Sequence, residues 1–286
     1  MNSAEMDSTS TDSTSTDFGA FLRQALPPLG LDPKPHNRRS LRRRLAKRLE
    51  ALGLRDWARY AARLEADPAE RDWLAAHASV TISRFWRNRG LWEHLAGHVL
   101  PQLCRGGAGA RARAKVRAWS AGCASGEEPY SLAMLWREGC PQHPLDLLAT
   151  DLDRVVLERA GQGLYPAGSL HELPIELRER WFRPEGTEFR LSEELRRAVA
   201  FRRHDLLRDP APEGPFGLIL CRNVAFTYFA PEARANVARR LAAALIPGGW
   251  LAIGRKERLP MERLPVGAEG LEEAGYPGLF RKPPAV

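Results

Sequence analysis

Apolar positions follow two different patterns along the chain, and the pattern changes near residue 115. In the first part, apolar residues recur at spacings of three and four, as at Leu41, Leu45 and Leu49, which is typical of amphipathic helices. In the second part, short apolar runs alternate with helical stretches, which is typical of an α/β domain with a mostly parallel sheet. The sequence therefore predicts a helical domain over residues 18–87 and an α/β domain over residues 88–286.

The α/β part divides further into elements. Four strands are predicted, at Val116–Ala121, Leu145–Thr150, Gly217–Cys221 and Trp250–Gly254. Helices are predicted at residues 129–137, 154–160 and 231–245, and a terminal pair of short strands within residues 262–281. Residues 165–202 fit the alternation poorly because three prolines interrupt them, so they are predicted to form a small inserted subdomain.

Composition and charge predict two further features of the N-terminal part of the chain, a disordered leader and a basic helix. Residues 1–17 contain five Ser, four Thr and three Asp, and they are predicted to be a disordered leader. The whole chain has 43 Lys and Arg against 35 Asp and Glu, and seven of the bases lie without any acid in a predicted amphipathic helix over residues 38–48. Such an excess attracts nucleic acid, a membrane surface or an acidic protein face, and charge alone does not choose among them.

The cysteines and the hydropathy exclude several classes of protein. Cys104, Cys123, Cys140 and Cys221 lie far apart without a CxxC or a Cys/His pair, which argues against a metal site and a disulfide framework. We expect four reduced thiols and no metal. No window approaches the roughly 18 uninterrupted apolar residues of a membrane-spanning helix, and the N-terminus lacks the pattern of a signal peptide. A cytoplasmic protein that does not insert into membranes is expected.

The segment VRAWSAGCASGEEPYS carries the clearest chemical signal. It predicts a strand that runs into a turn containing Gly122 and Gly126, followed by a helix whose first turn contains Glu127 and Glu128. These acids can be functional, or they can simply favour the positive end of the helix dipole. The glycine spacing does not match the GxGxxG dinucleotide pattern.

Polar residues also follow two later strands. Asp151 ends the second predicted strand, where an acid can accept hydrogen bonds from both ribose hydroxyls of an adenosine-containing ligand. Arg222 and Asn223 end the third. Because the carboxyl ends of parallel strands share one edge of a sheet, a ligand site is predicted there.

The order and spacing of several segments give the chain a family resemblance. Six segments carry the resemblance: SRFWR, AGCASGEEPYS, ATDLD, the GLY that follows it, CRNVAFTYF and PGGWLAIG. In these segments the chain resembles the CheR family of S-adenosylmethionine-dependent protein-glutamate methyltransferases. The resemblance covers roughly residues 36–262. It implies a Rossmann-like methyltransferase sheet with a small N-terminal all-helical domain and a small inserted β subdomain.

The resemblance also implies roles for individual residues. The cofactor S-adenosylmethionine would be held by Thr81, Ser83, Arg87, Glu127, Glu128, Asp151, Asp205, Leu206, Arg222 and Asn223. Among these, Glu128 with Glu127 would contact the methionine or ribose portion, Asp151 the ribose, and Asp205 with Leu206 the adenine. Arg87 and Tyr228 would be the catalytic residues.

Two departures from the family pattern concern the acceptor side of the site. CRNVAFTYF has one extra residue before Tyr228, so the role of this tyrosine can be displaced or shared with Thr227. The family's Gly-His-Ser-Glu after the last core strand is replaced by residues 254–257, Gly-Arg-Lys-Glu, which adds two bases.

The resemblance implies transfer of a methyl group to glutamate side chains of an acidic protein, such as the cytoplasmic region of a chemoreceptor. Two alternatives stay open at this point. One is methylation of RNA or another acidic acceptor, which the basic charge favours, although the Asn/Asp-Pro-Pro-Tyr/Phe motif of amino-methylating nucleic-acid enzymes is absent from the sequence. The other is a non-catalytic module that binds S-adenosylmethionine and docks a partner.

Overall fold

The computed structural model describes residues 10–34, 37–79, 83–105, 115–264 and 270–284, with the backbone alone for residues 10–16. The chain divides into two compact units. The first contains residues 1–80 with residues 228–233, and the second contains residues 81–227 with residues 234–286. The predicted domain boundary after residue 87 stays a prediction.

The first unit is helical. Its helices are α1 (Ser10–Ala25), α2 (Arg38–Ala51), α3 (Trp57–Ala66) and α4 (Pro68–His77). The side chains of Asn37, Asp56 and Asp67 accept hydrogen bonds from backbone N–H groups in the first turns of α2, α3 and α4, which satisfies donors that have no partner inside the helix. Helix α1 begins at Ser10, so it includes part of the segment expected to be a disordered leader.

An aromatic and leucine core holds this unit together. The rings of Phe18 and Phe21 on α1 lie 4.7 and 5.4 Å from the ring of Trp57 on α3. The segment at residues 228–233 belongs to the same unit, because the backbone N–H of Asp32 donates to the carbonyl of Tyr228 at 2.8 Å.

The second unit is built around a seven-stranded sheet. Its strands are β1 (Val116–Ala121), β2 (Leu145–Asp151), β6 (Val199–Arg203), β7 (Phe216–Cys221), β8 (Leu245–Ile253), β9 (Glu272–Glu273) and β10 (Leu279–Arg281). The order is β6-β2-β1-β7-β8-β10-β9, with the first five strands parallel and the last two antiparallel to their neighbours. This arrangement confirms the predicted Rossmann-like class.

A separate three-stranded antiparallel sheet follows β2 in the chain. Its strands are β3 (Leu164–Pro166), β4 (Phe182–Glu185) and β5 (Glu188–Leu191), in the order β3-β5-β4. The stretch expected to be inserted reached residue 202, but Val199–Arg203 forms β6 of the main sheet. This strand lies at the edge of the sheet, and its sequence of three apolar residues followed by two arginines lacks the longer apolar run of a central strand.

Eight α-helices complete the described part of this unit. They are α5 (Arg89–His94), α6 (Leu100–Arg105), α7 (Glu127–Gly139), α8 (Arg154–Gln162), α9 (Ile175–Trp181), α10 (Glu193–Arg197), α11 (Ala225–Tyr228) and α12 (Pro231–Ala244), the last two sharing residues with the first unit. A π-helical turn, Leu95–Val99, joins α5 to α6. None of the helices in the described ranges is long and apolar enough to cross a membrane.

The cysteines are not all reduced. Cys104 at the end of α6 and Cys140 at the C-terminal cap of α7 form a disulfide, and their Cα atoms are 6.5 Å apart. The expectation of four reduced thiols is therefore wrong for this pair. The two residues are 36 positions apart, and only the packing of α6 beside α7 brings them together. Cys123 and Cys221 are free and buried.

Candidate active site

The turn after β1 is fixed by the end of β2. The backbone N–H groups of Gly122 and Cys123 donate to the carbonyl of Thr150 at 2.8 and 2.9 Å. Gly122 has a φ of 80°, and a Cβ atom there would lie 2.8 Å from a methyl carbon of Val224. A side chain is excluded at this position by both conformation and space. The turn therefore brings the start of α7 to the carboxyl edge of the sheet.

Asp151 lies at this edge and holds the same turn. Its Oδ2 accepts a hydrogen bond from the backbone N–H of Ala124 at 2.9 Å, and its Oδ1 accepts one from the N–H of Asp153 at 3.1 Å. Burial raises the pKa of this carboxyl, and the backbone hydrogen bonds oppose that rise. Each carboxylate oxygen has two lone pairs, so Asp151 retains acceptor capacity for a ligand.

Glu128 forms a buried ion pair with Arg222. The Nη1 of Arg222 is 3.1 Å from Glu128 Oε2, and the Oγ of Ser120 donates to Glu128 Oε1 at 2.7 Å. The side chain of Arg222 is 3% exposed and that of Glu128 is 12% exposed. Burial raises the pKa of Glu128, while Arg222 and Ser120 act against the rise. The charge of Glu128 is thus compensated inside the protein.

Arg222 also fixes the segment that carries Arg87. Its Nη2 donates to the backbone carbonyl of Arg87 at 2.8 Å, and its guanidinium carbon lies 5.6 Å from the ring centre of Trp92. The indole N–H of Trp92 donates to the same carbonyl at 3.1 Å. Two donors therefore define the backbone position from which the half-buried Arg87 side chain extends.

Glu127 differs from its neighbour because its charge lacks a cationic partner in the described residues. Its side chain is 4% exposed, and Oε2 has no hydrogen-bond partner among those residues. Hydrogen bonds with the side chains of Ser83 and Ser169 oppose the effect of burial, which still raises the pKa of Glu127 to about 7. The site thus holds a buried carboxylate with open acceptor capacity beside the predicted Ser83.

Asn223 is held by an acid that sequence reasoning gave no role. Glu257 Oε2 accepts hydrogen bonds from the backbone N–H groups of Asn223 and Gly254 at 2.8 and 2.6 Å. Its Oε1 accepts one from the hydroxyl of Thr227 at 2.5 Å. Asn223 has a φ of 58°, in the left-handed region, so the hydrogen bonds stabilise an uncommon conformation. The signal in the sequence was the glutamate retained three residues after Gly254.

Asp205 and Leu206 follow β6 and are buried. The backbone N–H of His204, next to Asp205, donates to the carbonyl of Asp151 at 3.0 Å. Asp205 Oδ1 accepts a hydrogen bond from the N–H of Leu207 at 2.8 Å. This turn is therefore attached to the same edge of the sheet as Asp151.

The structure places most of the predicted residues in the second unit. Nine of them belong to this unit: Ser83, Arg87, Glu127, Glu128, Asp151, Asp205, Leu206, Arg222 and Asn223. Tyr228 belongs to the first unit, and its catalytic role stays a prediction. Thr81 lies outside the described residues. In the described part of the chain, no three His, Cys, Asp or Glu side chains form a group that could hold a metal ion.

The second unit is a Rossmann-like domain with acids at the carboxyl edge of its parallel sheet, and comparison with known proteins specifies the family. Residues 81–269 match the CheR methyltransferase, SAM binding domain, and residues 16–76 match the CheR methyltransferase, all-alpha domain. The chain belongs to the CheR family of S-adenosylmethionine-dependent methyltransferases, as its motifs predicted.

Curated relatives agree with this assignment over most of the chain. A chemotaxis protein methyltransferase of Listeria monocytogenes is 35% identical over 243 residues, which are 85% of this chain and 90% of the relative. The chemotaxis protein methyltransferase of Salmonella typhimurium is 33% identical over 231 residues, covering 78% and 76% of the two chains.

The residues present fit the cofactor of this family. S-adenosylmethionine carries an ammonium group, two ribose hydroxyls and a sulfonium centre. The unpartnered oxygen of Glu127 suits a cationic donor, and the remaining lone pairs of Asp151 suit hydroxyl donors. A buried acid without a counter-charge is costly in the absence of a ligand, which is the pattern expected of a binding site.

Proposed function

We propose that this protein transfers a methyl group from S-adenosylmethionine to glutamate side-chain carboxylates of an acidic protein, the cytoplasmic region of a chemoreceptor or a related signalling protein. The observation that carries this proposal is the buried carboxylate of Glu127, whose Oε2 has no hydrogen-bond partner among the described residues, in a chain whose two units match the two CheR models. The names of the relatives support chemotaxis as the setting. We also propose that the protein acts in the cytoplasm.

In this proposal the cofactor is held at the carboxyl edge of the sheet. Asp151 would accept hydrogen bonds from the ribose hydroxyls, Glu127 would face the methionine ammonium, and Asp205 with Leu206 would border the adenine. Ser83 would keep Glu127 in place, since the two side chains are hydrogen-bonded. The proposed cofactor-binding residues also include Thr81, Glu128, Arg222 and Asn223. The cofactor supplies the reacting methyl group on a positively charged sulfur.

The chemistry requires alignment more than proton transfer. A glutamate acceptor with a reference pKa near ~4.3 is ionised at neutral pH. With the cofactor bound, its oxygen would form a bond to the methyl carbon as the carbon–sulfur bond breaks, the electron pair would stay on sulfur, and the products would be a methyl ester and a neutral thioether. Holding the reacting atoms in line can contribute up to about 7–11 kcal/mol. We assign Arg87 to orienting the acceptor carboxylate and Tyr228 to donating a hydrogen bond to it.

Helix α2 is the proposed docking surface for the acidic substrate. Three of its bases have partners within the unit: Arg44 donates to the carbonyls of His77 and Ser79, and Arg48 pairs with the buried Glu70. The guanidinium of Arg38 lies over the ring of Phe18. The remaining bases include Arg42, Arg43 and Lys47, none of which pairs with an acid in the described part of the chain. These three therefore offer positive charge for a partner.

Charge reversal tests this surface. The variant R42E/R43E/K47E should lower substrate methylation at least tenfold without changing cofactor binding, and added salt should weaken methylation by the unmodified protein. The control R23E/R55E/R59E changes the same net charge at exposed positions of the same unit and should stay close to the unmodified protein. Equal methylation by both variants would remove α2 from the proposal.

The methylated product tests the proposed reaction. Cofactor labelled on the methyl group is incubated with the protein and receptor-containing membranes of the source organism. We expect protein-bound label that is released by base as methanol, as an ester requires. Label on RNA that nuclease removes would support the nucleic-acid alternative. Cofactor binding without transfer to any acceptor would support the non-catalytic module.

A further inference from the structure

A basic turn follows β8 directly beside the candidate active site. The backbone N–H of Glu257 donates to the carbonyl of Gly254 at 2.8 Å, so Arg255 and Lys256 occupy the two central positions of a tight turn. Both side chains are exposed, and so is the side chain of Arg258. Within the described residues, none of these three bases forms an ion pair or a side-chain hydrogen bond. We refer to Arg255, Lys256 and Arg258 as the β8 basic cluster.

Glu257 connects this cluster to the site. It is the acid between the bases, yet its carboxylate accepts hydrogen bonds from Asn223, Gly254 and Thr227 and is not available to its basic neighbours. A Cβ atom on Gly254 would lie 2.6 Å from Nδ2 of Asn223, so the two segments are in close contact. Glu257 is also near enough to Glu128 to raise the pKa of that carboxyl.

The pairing of β7 with β8 also places the β8 basic cluster next to the candidate active site. Cys221 of β7 is paired with Ile253 of β8 in a parallel register. The residues that follow, Arg222 and Asn223 on one strand and Gly254 and Arg255 on the other, therefore leave the sheet side by side. The β8 basic cluster thus borders the carboxyl edge that carries the proposed cofactor residues.

We propose that the β8 basic cluster binds the acidic residues that flank the methyl-accepting glutamate of the protein substrate, and so selects acceptors in acidic sequence. Three exposed bases within four residues complement such a segment, and the one acid among them is turned inward. The inference rests on the proposed function and adds a second substrate contact to the one on α2. In this proposal the β8 basic cluster does not contribute to cofactor binding.

The test is peptide binding, which does not depend on transfer. Two fluorescein-labelled peptides each contain one glutamate, flanked by aspartates in the first and by asparagines in the second. Anisotropy is measured with the full chain saturated with S-adenosylhomocysteine. Because one exposed ion pair contributes a factor of about 1.4–5, three should make the aspartate peptide bind about tenfold more tightly.

Two matched variants identify the surface. R255E/K256E/R258E should abolish the tenfold preference and leave cofactor affinity unchanged by calorimetry. R105E/R159E/R239E makes the same change in net charge at three exposed bases in the second halves of α6, α8 and α12, and should retain the preference. Preserved preference in the first variant, equal loss in both, or no peptide binding by the unmodified protein would each overturn the inference.

Two further outcomes separate this inference from its alternatives. If R42E/R43E/K47E abolishes the preference and the β8 variant does not, acidic recognition belongs to α2 and the inference is wrong. If a single-stranded RNA binds the cluster more tightly than the aspartate peptide, the partner is nucleic acid and the inference is also wrong. If the peptide preference depends on the cluster but no base-labile ester forms, the cluster binds acidic segments as inferred, while its role in selecting a methyl acceptor and the proposed reaction are both wrong.

Discussion

Glu127 should make the ligand-free protein less stable as pH rises through the acidic range. Its side chain is 4% exposed, and burial raises its pKa to about 7 from an ordinary value of 4.5. The folded protein therefore keeps this proton over a pH range in which the unfolded chain has lost it. Unfolding releases a proton between about pH 4.5 and 7, so the free energy of unfolding decreases as pH increases in that window.

The size of the effect follows from the difference in pKa. About 2.5 units at about 1.4 kcal/mol each give a loss of roughly 3 kcal/mol across the window, with no contribution below pH 4.5 and no further change above pH 7. The pKa values of Glu128 and Asp151 are also raised by burial. A single pH series therefore contains several contributions, and the comparison with Glu127→Gln isolates one of them, since glutamine has the same size and no charge.

Urea unfolding of both proteins at about pH 5, 6, 7 and 8 provides the measurement. The stability of the unmodified protein relative to Glu127→Gln should fall by roughly 2.5 kcal/mol between pH 5 and pH 8, since part of the loss occurs below pH 5. Parallel stability curves for the two proteins would contradict this expectation, because they would show that Glu127 titrates alike in the folded and unfolded chains.

Cofactor binding gives an independent check on the same carboxyl. An ammonium group beside Glu127 favours the ionised form, so binding below pH 7 should release a proton and the affinity should increase with pH. Calorimetry in two buffers of different ionisation enthalpy measures this proton release. The unmodified protein should release more than Glu127→Gln; equal release would mean that the cofactor does not contact this group.

Three further predictions follow from the site and its scaffold. Asp151→Ala should weaken S-adenosylmethionine binding at least tenfold in calorimetry, because hydrogen bonds to a charged group contribute about 1.5–3 kcal/mol and the turn at Ala124 loses its anchor; unchanged affinity would exclude Asp151 from the site. Arg87→Ala should abolish methyl transfer while the melting temperature changes little, whereas full activity would leave Arg87 a structural role. Reduction of the Cys104–Cys140 disulfide should raise the free thiol count from two to four. It should also lower stability by up to about 4 kcal/mol, from the entropy of a 36-residue loop; identical unfolding curves would show that packing alone fixes α6 against α7.

The central strands could be predicted from the sequence because they are buried on both faces. Val116–Ala121 has the predicted bounds, and Phe216–Cys221 and Leu145–Asp151 each differ from prediction by one residue. The start of β8 could not be predicted, since Leu245 was predicted to end a helix and the Pro-Gly-Gly of residues 247–249 favours a turn. In the structure they continue the strand, and Phe216 pairs with Leu245 across an irregular register.

Residues in motifs were predictable, while residues that act through tertiary hydrogen bonds were not. Glu127, Glu128 and Asp151 follow strands or turns that can be identified from local pattern. The functions of Glu257 and Ser169 depend on partners far away in the chain: Asn223 is 34 positions from Glu257, and Glu127 is hydrogen-bonded by Ser169. No local pattern specifies such pairs, and the same reason explains why the disulfide was missed.

The distribution of charge around the site is consistent with one cationic and one anionic ligand. Inside, the charge of Glu128 is compensated by Arg222, while Glu127 and Asp151 have no cationic side chain among their hydrogen-bond partners in the described ranges. This interior favours a positively charged cofactor and disfavours a second carboxylate. Outside, the β8 basic cluster favours an acidic segment. In the proposed mode of binding, the ammonium group of the cofactor would offset the charge of Glu127, and the sulfonium would attract the acceptor carboxylate. The bound cofactor would therefore make the site more favourable for an anionic acceptor than the site without it.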